Sequence, residues 1–193
     1  MRRFAVALAL LALAACDDPE TAQAPPPPQE LSADAVGHYC GMIVLEHSGP
    51  KGQIILKSRK EPVWFSSARD AVAFTLLPEE AKDIQAIYVS DMAKAPTWDE
   101  PGTTNWVEAR QAFFVIGSDK SGGMGAAEAA PFSDRSVAEA FAQDHGGEVV
   151  AFADIPHDYV LGSGEGHAQQ GATHAPASSD AAPAMSGASE HRH

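Results

Sequence analysis

Cysteine is scarce in this sequence: the 193 residues contain only two, Cys16 and Cys40. These two residues form no CxxC pair, and no HxxxH pair occurs, so the spacings typical of a structural zinc site are missing. The sequence also contains no glycine-rich phosphate loop and no nucleophile elbow. The patterns of nucleotide-binding enzymes and of α/β-hydrolases are therefore absent.

Basic residues are few as well. The chain has 13 Lys and Arg against 26 Asp and Glu, which gives a formal net charge of −13. Because there is no basic patch, the sequence predicts that no nucleic acid is a partner. An acidic surface favours solubility and cationic partners, and it is compatible with metal ions and with proteins alike.

Only one long apolar run is present, and it lies at the N-terminus from Phe4 to Ala15, after two arginines. It is shorter than the roughly 20 residues that span a bilayer, and it has the form of a signal peptide. It ends in LAAC, which resembles the bacterial lipobox. The sequence therefore predicts a lipoprotein signal peptide over residues 1–15 and lipidation of Cys16. An ordinary signal peptide followed by an incidental cysteine is the alternative.

Two low-complexity segments flank the predicted domain. Residues 16–30 are polar and rich in proline, which predicts an extended tether. The acidic pair Asp17–Asp18 resembles the signal that retains lipoproteins in the inner membrane, which places the protein on the periplasmic side. Residues 162–193 are rich in Gly, Ala and Ser, which predicts a disordered tail. The fold is expected within residues 31–161.

Between these segments the hydrophobic pattern predicts an α+β fold with an internal repeat. The fragments FSSARDAVAF (65–74) and FSDRSVAEAF (132–141) share Phe at both ends, Ser after the first Phe, and Ala at two further positions. Each lies in the same order of predicted strands, which indicates two ββαβ units, 31–103 and 104–161, with short helices on small mixed or antiparallel sheets. Ser66 is the predicted N-cap of the first helix. The predicted strands are 53–58, 62–65, 84–91, 109–118, a short one before the second helix, and 146–155; the predicted core phenylalanines are Phe65, Phe74, Phe132 and Phe141.

Cys40 is the single free thiol that remains if Cys16 is lipidated. An unpaired cysteine in an exported protein indicates reactivity, intermolecular pairing or metal binding, although a small buried hydrophobic role is the alternative. It lies in HYCGMIVLEH, residues 38–47. If residues 39–44 are extended, His38, Cys40 and Met42 lie on one face, because side chains alternate along a strand.

A thiolate beside a thioether is a soft donor set, and it favours Cu(I). The imidazole of His47 could complete a site of low coordination number. Met92 and Met124 lie in polar or glycine-rich segments, DMAKAPTW and SDKSGGMG, where each is a candidate for a further sulfur ligand. The alternative for both methionines is a gap-filling role in the core.

Two other hypotheses use the same thiol. Cys40 and a histidine could form a nucleophile and base, as in a thiol enzyme, but the sequence identifies no third orienting group and no resolving cysteine. Cys40 could also pair with the cysteine of a partner, in a non-catalytic interaction lipoprotein. His145, at a predicted helix end, is expected to be structural.

Several blocks in collinear order carry a resemblance to a known family. They are the lipobox, CGMIVLEHSGPKGQIIL, FSSARDAVAF, IYVSDMAKAPTW, WVEARQAFFVIGS, GGMGAAEAAPF and FAQDHGG, which together span about residues 36–156. With these blocks the chain resembles the NosL family, the accessory lipoproteins of nitrous oxide reductase. The resemblance implies a fold of two ββαβ units similar to organomercurial lyase domains.

The resemblance also implies a function. It is that of a lipid-anchored periplasmic chaperone, not an enzyme, that binds Cu(I) and delivers it by ligand exchange for assembly of the copper–sulfide centre of nitrous oxide reductase. The implied partners are that reductase and an ABC-type membrane complex. Cys40 and Met42 occupy the family's Cys-x-Met positions. For the third ligand His47, Met92 and Met124 all stay open, with His38 possible on strand geometry alone.

Overall fold

The structure is a computed structural model that describes residues 24–162. The predicted signal peptide, Cys16, the first part of the tether and the predicted tail from residue 163 lie outside the described residues. Within residues 24–162, no helix has both the length and the apolar character needed to cross a membrane.

The first sheet is built around a strand that is buried along its whole length. This strand, β1 (Gly52–Leu56), pairs antiparallel with β2 (Val63–Phe65) on one side and β3 (Ile84–Ser90) on the other. Helix α1 (Ala68–Leu76) follows β2 and packs against the sheet. Alternate residues of β1 face opposite sides, and both sides are covered, which explains why its burial does not alternate.

The second sheet repeats this arrangement. It contains β5 (Phe113–Ile116), β6 (Ala130–Phe132) and β7 (Glu148–Ala151), with α2 (Arg135–His145) between the last two strands. Its strand order, β6-β5-β7, matches β2-β1-β3, and every pairing in both sheets is antiparallel. The predicted α+β class, with short helices on two small sheets, is confirmed.

One further strand departs from the expected division. Strand β4 (Trp106–Glu108) lies inside the predicted second unit, 104–161, but pairs with β3 as the fourth strand of the first sheet. The next three residues form a 3₁₀ turn, in which the side chain of Glu108 accepts a hydrogen bond from the N–H of Arg110. The predicted strand 109–118 is therefore too long at its start, because a side-chain hydrogen bond stabilises a turn there.

The last predicted strand, 146–155, is also too long. Strand β7 ends at Ala151, and a 3₁₀ turn (Phe152–Asp154) leads into a short helix, α3 (His157–Leu161). The hydroxyl of Tyr159 in α3 donates to Glu128 O at 2.7 Å and accepts from the N–H of Gly117 at 3.0 Å. These bonds hold α3 against both ends of the segment that joins β5 to β6.

The described part of the predicted tether lies on the first sheet. Residues 24–30 contain no helix or strand, as expected, but they are not free of the domain. The side chain of Gln53 in β1 makes two reciprocal hydrogen bonds of 2.8 Å with the backbone of Gln29, and the hydroxyl of Tyr88 donates to Pro26 O at 2.8 Å. The end of the tether is thus an extended strap that covers one face of the sheet.

The phenylalanines of the repeat lie where the sequence predicts them. Phe65, Phe74 and Phe132 are buried, and Phe141 is half-buried against Phe132, with ring centroids 5.0 Å apart. Apolar residues of α1 and of both sheets form the main core cluster. The first phenylalanine of each repeat therefore anchors the strand that enters the helix.

Candidate metal site

The segment around Cys40 is a tight turn. The N–H of Gly37 donates to Met42 O and the N–H of Gly41 donates to Gly37 O, both at 2.9 Å. Gly41 has a φ of 67°, which side chains with a Cβ rarely adopt. The expectation of an extended segment over residues 39–44 is therefore wrong, and strand alternation gives no argument for a shared face.

The turn places the thiol of Cys40 beside His47 and Ser66. Nε2 of His47 lies 4.0 Å from Sγ, and Ser66 Oγ donates a hydrogen bond to Sγ at 3.6 Å. The sequence predicts Ser66 as the N-cap of α1, but Ser67 takes that role and accepts from the N–H of Asp70 at 3.4 Å. Ser66 is thereby free to face the half-buried thiol.

A backbone carbonyl fixes the tautomer of His47. Nδ1 lies 3.0 Å from Gly123 O, and since a carbonyl oxygen can only accept, Nδ1 carries the proton. In the neutral imidazole the lone pair is then on Nε2, the nitrogen that faces the sulfur of Cys40. Histidines that bind metals are commonly held in this way, with the other ring nitrogen donating to a carbonyl or carboxylate.

The spacing of the sulfur and the nitrogen suits a bound metal ion. Metal–sulfur and metal–nitrogen distances of about 2.3 and 2.0 Å, as in zinc sites, span a 4.0 Å gap with an angle of roughly 137° at the metal. Such an angle leaves one side of the ion open for a third ligand. Cys40 and His47 together can therefore supply two ligands of a three-coordinate site.

Two exposed methionines flank the pair. Met42 is 42% exposed and Met124 is 53% exposed, whereas a core methionine would be buried. Met42 lies in the Cys40 turn, and Met124 directly follows the glycine whose carbonyl binds His47. Each methionine thus lies on a segment that already contacts the pair, and each side chain is exposed to solvent.

The remaining two candidates lie elsewhere. Met92 is half-buried in the cluster of the second sheet, against residues such as Phe132, as the gap-filling alternative predicts. His38 binds the carboxylate of Glu80 at 3.1 Å and packs edge-on against Phe74. Among the residues that the structure describes, neither side chain makes a hydrogen bond to the thiol, and their roles as ligands stay predictions without geometric support.

Other groups that commonly bind metals are not gathered in the described part of the chain. Residues 24–162 contain no cluster of three or more His, Cys, Asp or Glu side chains. Within this part of the chain the flanking methionines are the candidates for a third ligand, and a methionine sulfur would make the donor set soft. His145 pairs with Asp119 at 3.1 Å and packs on Phe141, which agrees with its predicted structural role.

Sequence reasoning missed a buried lysine beneath His47. Lys51 is only 2% exposed, and its ammonium donates to the carbonyls of His47, Ser48 and Gly49. Burial lowers the pKa of Lys51 to about 8, opposed by the negative charge of Glu128. The position of Lys51 next to an apolar strand was the available signal, but lysine in such places is usually exposed.

A buried glutamate lies on the other side of the site. Oε1 of Glu128 accepts from the N–H groups of Arg69 and Ala129 at 2.8 and 2.9 Å and from Ser67 Oγ at 3.2 Å. These bonds tie the start of α1 to the loop that carries Gly123 and Met124. Burial raises the pKa of Glu128 to about 7, although the hydrogen bonds act in the opposite direction.

The fold and the site together define a class: a small α+β protein with a half-buried thiol, an imidazole of fixed tautomer and flanking thioethers, which is the donor set of a soft-metal-binding protein. The chain belongs to the NosL family, whose family model matches residues 28–160.

Relatives and a solved structure agree with this assignment. The chain is 48% identical over 162 residues to the copper-binding lipoprotein NosL of Achromobacter cycloclastes, covering 83% of each chain. It is 32% identical to the copper-binding lipoprotein NosL of Stutzerimonas stutzeri, covering 74% of this chain and 73% of the other. The crystal structure of the copper chaperone NosL from Shewanella denitrificans matches with a TM-score of 0.63 and 36% identity, covering 67% of this chain and 97% of that one.

Proposed function

We propose that this protein is a membrane-anchored periplasmic chaperone that binds one Cu(I) and passes it on for assembly of the copper–sulfide centre of nitrous oxide reductase. The observation that carries the proposal is the 4.0 Å approach of Cys40 Sγ and His47 Nε2, with the Nε2 lone pair facing the sulfur. Thiolate, thioether and imidazole favour Cu(I) over hard cations.

The relatives support the metal and the anchor. Two of them are named copper-binding lipoproteins, at 48% and 32% identity. In this chain Cys16, at the end of the predicted signal peptide, is the residue that lipids would modify. Anchorage through that residue places the domain at the periplasmic face of a membrane, which we propose is the inner one.

We propose that Cys40 and His47 bind the ion together with one of the flanking methionines, Met124 or Met42. Binding needs the thiolate, so Cys40 releases its proton as copper enters. Nε2 of His47 is ready to bind, because Nδ1 is already committed to Gly123 O at 3.0 Å. Ser66 Oγ donates to the sulfur from below and holds it in place.

Release occurs by ligand exchange at the exposed side. A donor from the acceptor replaces the methionine first, since a thioether is neutral and both candidates are solvent-exposed. Cys40 and His47 follow, and the thiolate takes up a proton as the ion departs. Copper stays Cu(I) throughout, so the exchange requires no oxidant or reductant. The partners in this proposal are an ABC-type membrane complex and the reductase.

X-ray absorption on the Cu(I) form, with competition against a chromophoric Cu(I) chelator, tests the proposal. Cys40→Ala should lower Cu(I) affinity at least a hundredfold, and His47→Ala should remove the nitrogen from the ligand count. Met42→Leu and Met124→Leu should each be measured, and at least one should remove a sulfur. Affinity or a ligand should be lost in these variants because each residue lies on a segment that contacts the thiol and is proposed to supply a ligand from there.

Met92→Leu and His38→Gln are the matched controls, because both residues make their contacts away from the thiol. They should leave the affinity and the ligand count unchanged. Unaltered Cu(I) affinity in Cys40→Ala would refute the proposal, and loss of a ligand in Met92→Leu would move the site elsewhere.

The Cys40–His47 pair also favours a second candidate, a thiol enzyme similar to organomercurial lyase. A thiol with a histidine at 4.0 Å, itself oriented by a carbonyl, has the arrangement of a nucleophile and base. That candidate predicts turnover of a thiol-reactive substrate by metal-free protein and its loss in Cys40→Ser. The exposed methionines have no role in such chemistry, and for that reason the chaperone is preferred.

A further inference from the structure

The segment that carries His47 is held from beneath by a buried charge. Lys51 lies directly before β1, and its backbone is fixed to β3: the N–H donates to Ser90 Oγ at 2.9 Å, and the carbonyl accepts from the N–H of Ser90 at 3.0 Å. Its side chain therefore starts from a rigid point of the first sheet. From there it reaches back under residues 47–49.

The ammonium uses all three of its donors on this segment. Nζ lies 2.5 Å from His47 O, 3.0 Å from Ser48 O and 2.7 Å from Gly49 O. An ammonium offers three compact donors, so three successive carbonyls saturate it. The planar guanidinium of arginine could not make this arrangement. The histidine segment is thereby curled around one charged atom.

The same segment is held from above by the loop that carries Met124. The N–H of Gly49 donates to Trp98 O at 3.1 Å, and Nε1 of Trp98 donates to Ser121 O at 3.3 Å. His47 itself donates to Gly123 O. The ammonium thus binds the backbone of the same residue whose imidazole binds Gly123 O.

Burying this ammonium is costly. Among the described residues Lys51 makes no salt bridge, and a buried charge without a paired carboxylate destabilises a fold unless hydrogen bonds offset the cost of removing it from water. The hydrogen bonds that offset it here all go to the histidine segment. The buried ammonium of Lys51, which an apolar core disfavours, therefore fixes the backbone of residues 47–49.

From this geometry we propose that Lys51 is a positioning residue of the copper site: it fixes the place and tautomer of His47 and so sets the share of the Cu(I) affinity that the imidazole supplies. The effect on Cu(I) affinity rests on the proposed function. The effect on the tautomer of His47 is measured in the metal-free protein and does not depend on it. Lys51 touches no ligand atom; it acts through the backbone of residues 47–49.

A double-mutant cycle with Lys51→Met and His47→Ala tests the proposal. Lys51→Met should lower Cu(I) affinity ten- to a hundredfold, the usual loss when a group that orients a metal ligand is removed. In the His47→Ala background the same change should have no further effect, because the residue through which Lys51 acts is gone. Lys57→Met is the matched control, since Lys57 follows the other end of β1 and is exposed; it should change nothing.

Nitrogen-15 NMR of the metal-free protein gives the second readout. Wild-type His47 should show the Nδ1–H tautomer, and Lys51→Met should show a mixture of tautomers. If Lys51→Met does not fold, Lys51→Gln, whose amide keeps two donors, takes its place. Equal affinity loss in both backgrounds, or an unchanged tautomer, would overturn the proposal. Failure of the wild type to bind Cu(I) would refute the proposed function and leave the NMR result to decide the role of Lys51.

Discussion

The two ββαβ units share a strand order but differ in how they use the helix. Five residues of α1 are buried, whereas Ala138 is the single buried residue of α2. Helix α1 contacts β6 and α3 as well as its own sheet, while α2 packs on the strands of its own sheet. The same local pattern therefore gives an internal helix in one unit and a surface helix in the other.

The difference extends to the helix starts. The N-terminus of α1 is closed by two side chains, Ser67 and the buried Glu128, the latter from the linker between β5 and β6. The N-terminus of α2 is capped by the exposed Asp134 alone. The candidate metal site lies at the enclosed start, where Ser66 also faces the thiol. In this protein the candidate site is therefore found on the unit whose helix start is closed by the other unit.

The largest expected effect compares the second phenylalanine of each repeat. Phe74→Ala should lower the free energy of unfolding by about 4 kcal/mol, and Phe141→Ala by about 2 kcal/mol, because the cost of a large-to-small change follows burial and the cavity left behind. Phe74 is buried and Phe141 is half-buried. Urea unfolding of the two variants measures the difference. Equal losses would mean that the two helices contribute alike.

The next effect concerns the pH dependence that Glu128 gives the protein. Its pKa in the folded state is raised by burial from 4.5 to about 7, so between these values the folded protein binds more protons than the unfolded chain. The contribution of Glu128 to the free energy of unfolding should therefore fall as pH rises through this window, by an amount of the order of 3 kcal/mol, and that contribution should stay level above it.

Glu128→Gln isolates that contribution. The amide does not titrate, so the difference in unfolding free energy between wild type and variant should change between about pH 5 and about pH 8 and stay constant beyond. Urea unfolding at a series of pH values gives the curve. A difference that does not vary with pH would show that Glu128 is ionised throughout the range.

The smallest effect concerns Asp134, which caps the start of α2 as Ser67 and Glu128 close the start of α1. The pKa of Asp134 is lowered by its hydrogen bonds to Ser136 and Val137, so its stabilisation is present above the ordinary value of 3.8 and is lost as pH falls through the lowered value. Asp134→Ala should cost less than Phe141→Ala at neutral pH and nothing in strong acid. A cost that persists in acid would mean that the carboxylate charge is not what caps α2.

The repeat was predictable because its signal is local. Phenylalanine spacing and apolar runs gave the order of strands and helices. Strand β4 was missed because three residues carry no periodicity, and its pairing with β3 is a long-range contact. The end of the tether was expected to be a spacer, since proline-rich composition does not reveal hydrogen bonds such as that from Tyr88 to Pro26.

The site was predictable in its residue types but not in its arrangement. Soft donors near Cys40 indicated a metal, and His47 was among them. The turn at Gly41, the carbonyl of Gly123 that orients the imidazole, and the buried Lys51 all depend on contacts between distant segments. A buried charge such as Lys51 is also hard to predict from the sequence, because charged residues are mostly exposed.

The strap at Pro26–Gln29 sets the length of the free tether if the protein is attached to a membrane at Cys16, as we propose. With the strap docked on the sheet, only about ten residues separate the anchor from the domain, and a fully extended chain of that length reaches roughly 35 Å. An undocked tether ending at Leu31 would reach roughly 50 Å. If Cys16 is the lipid anchor, as proposed, docking of the strap keeps the domain, and any copper that it carries, within a thin layer beside the bilayer.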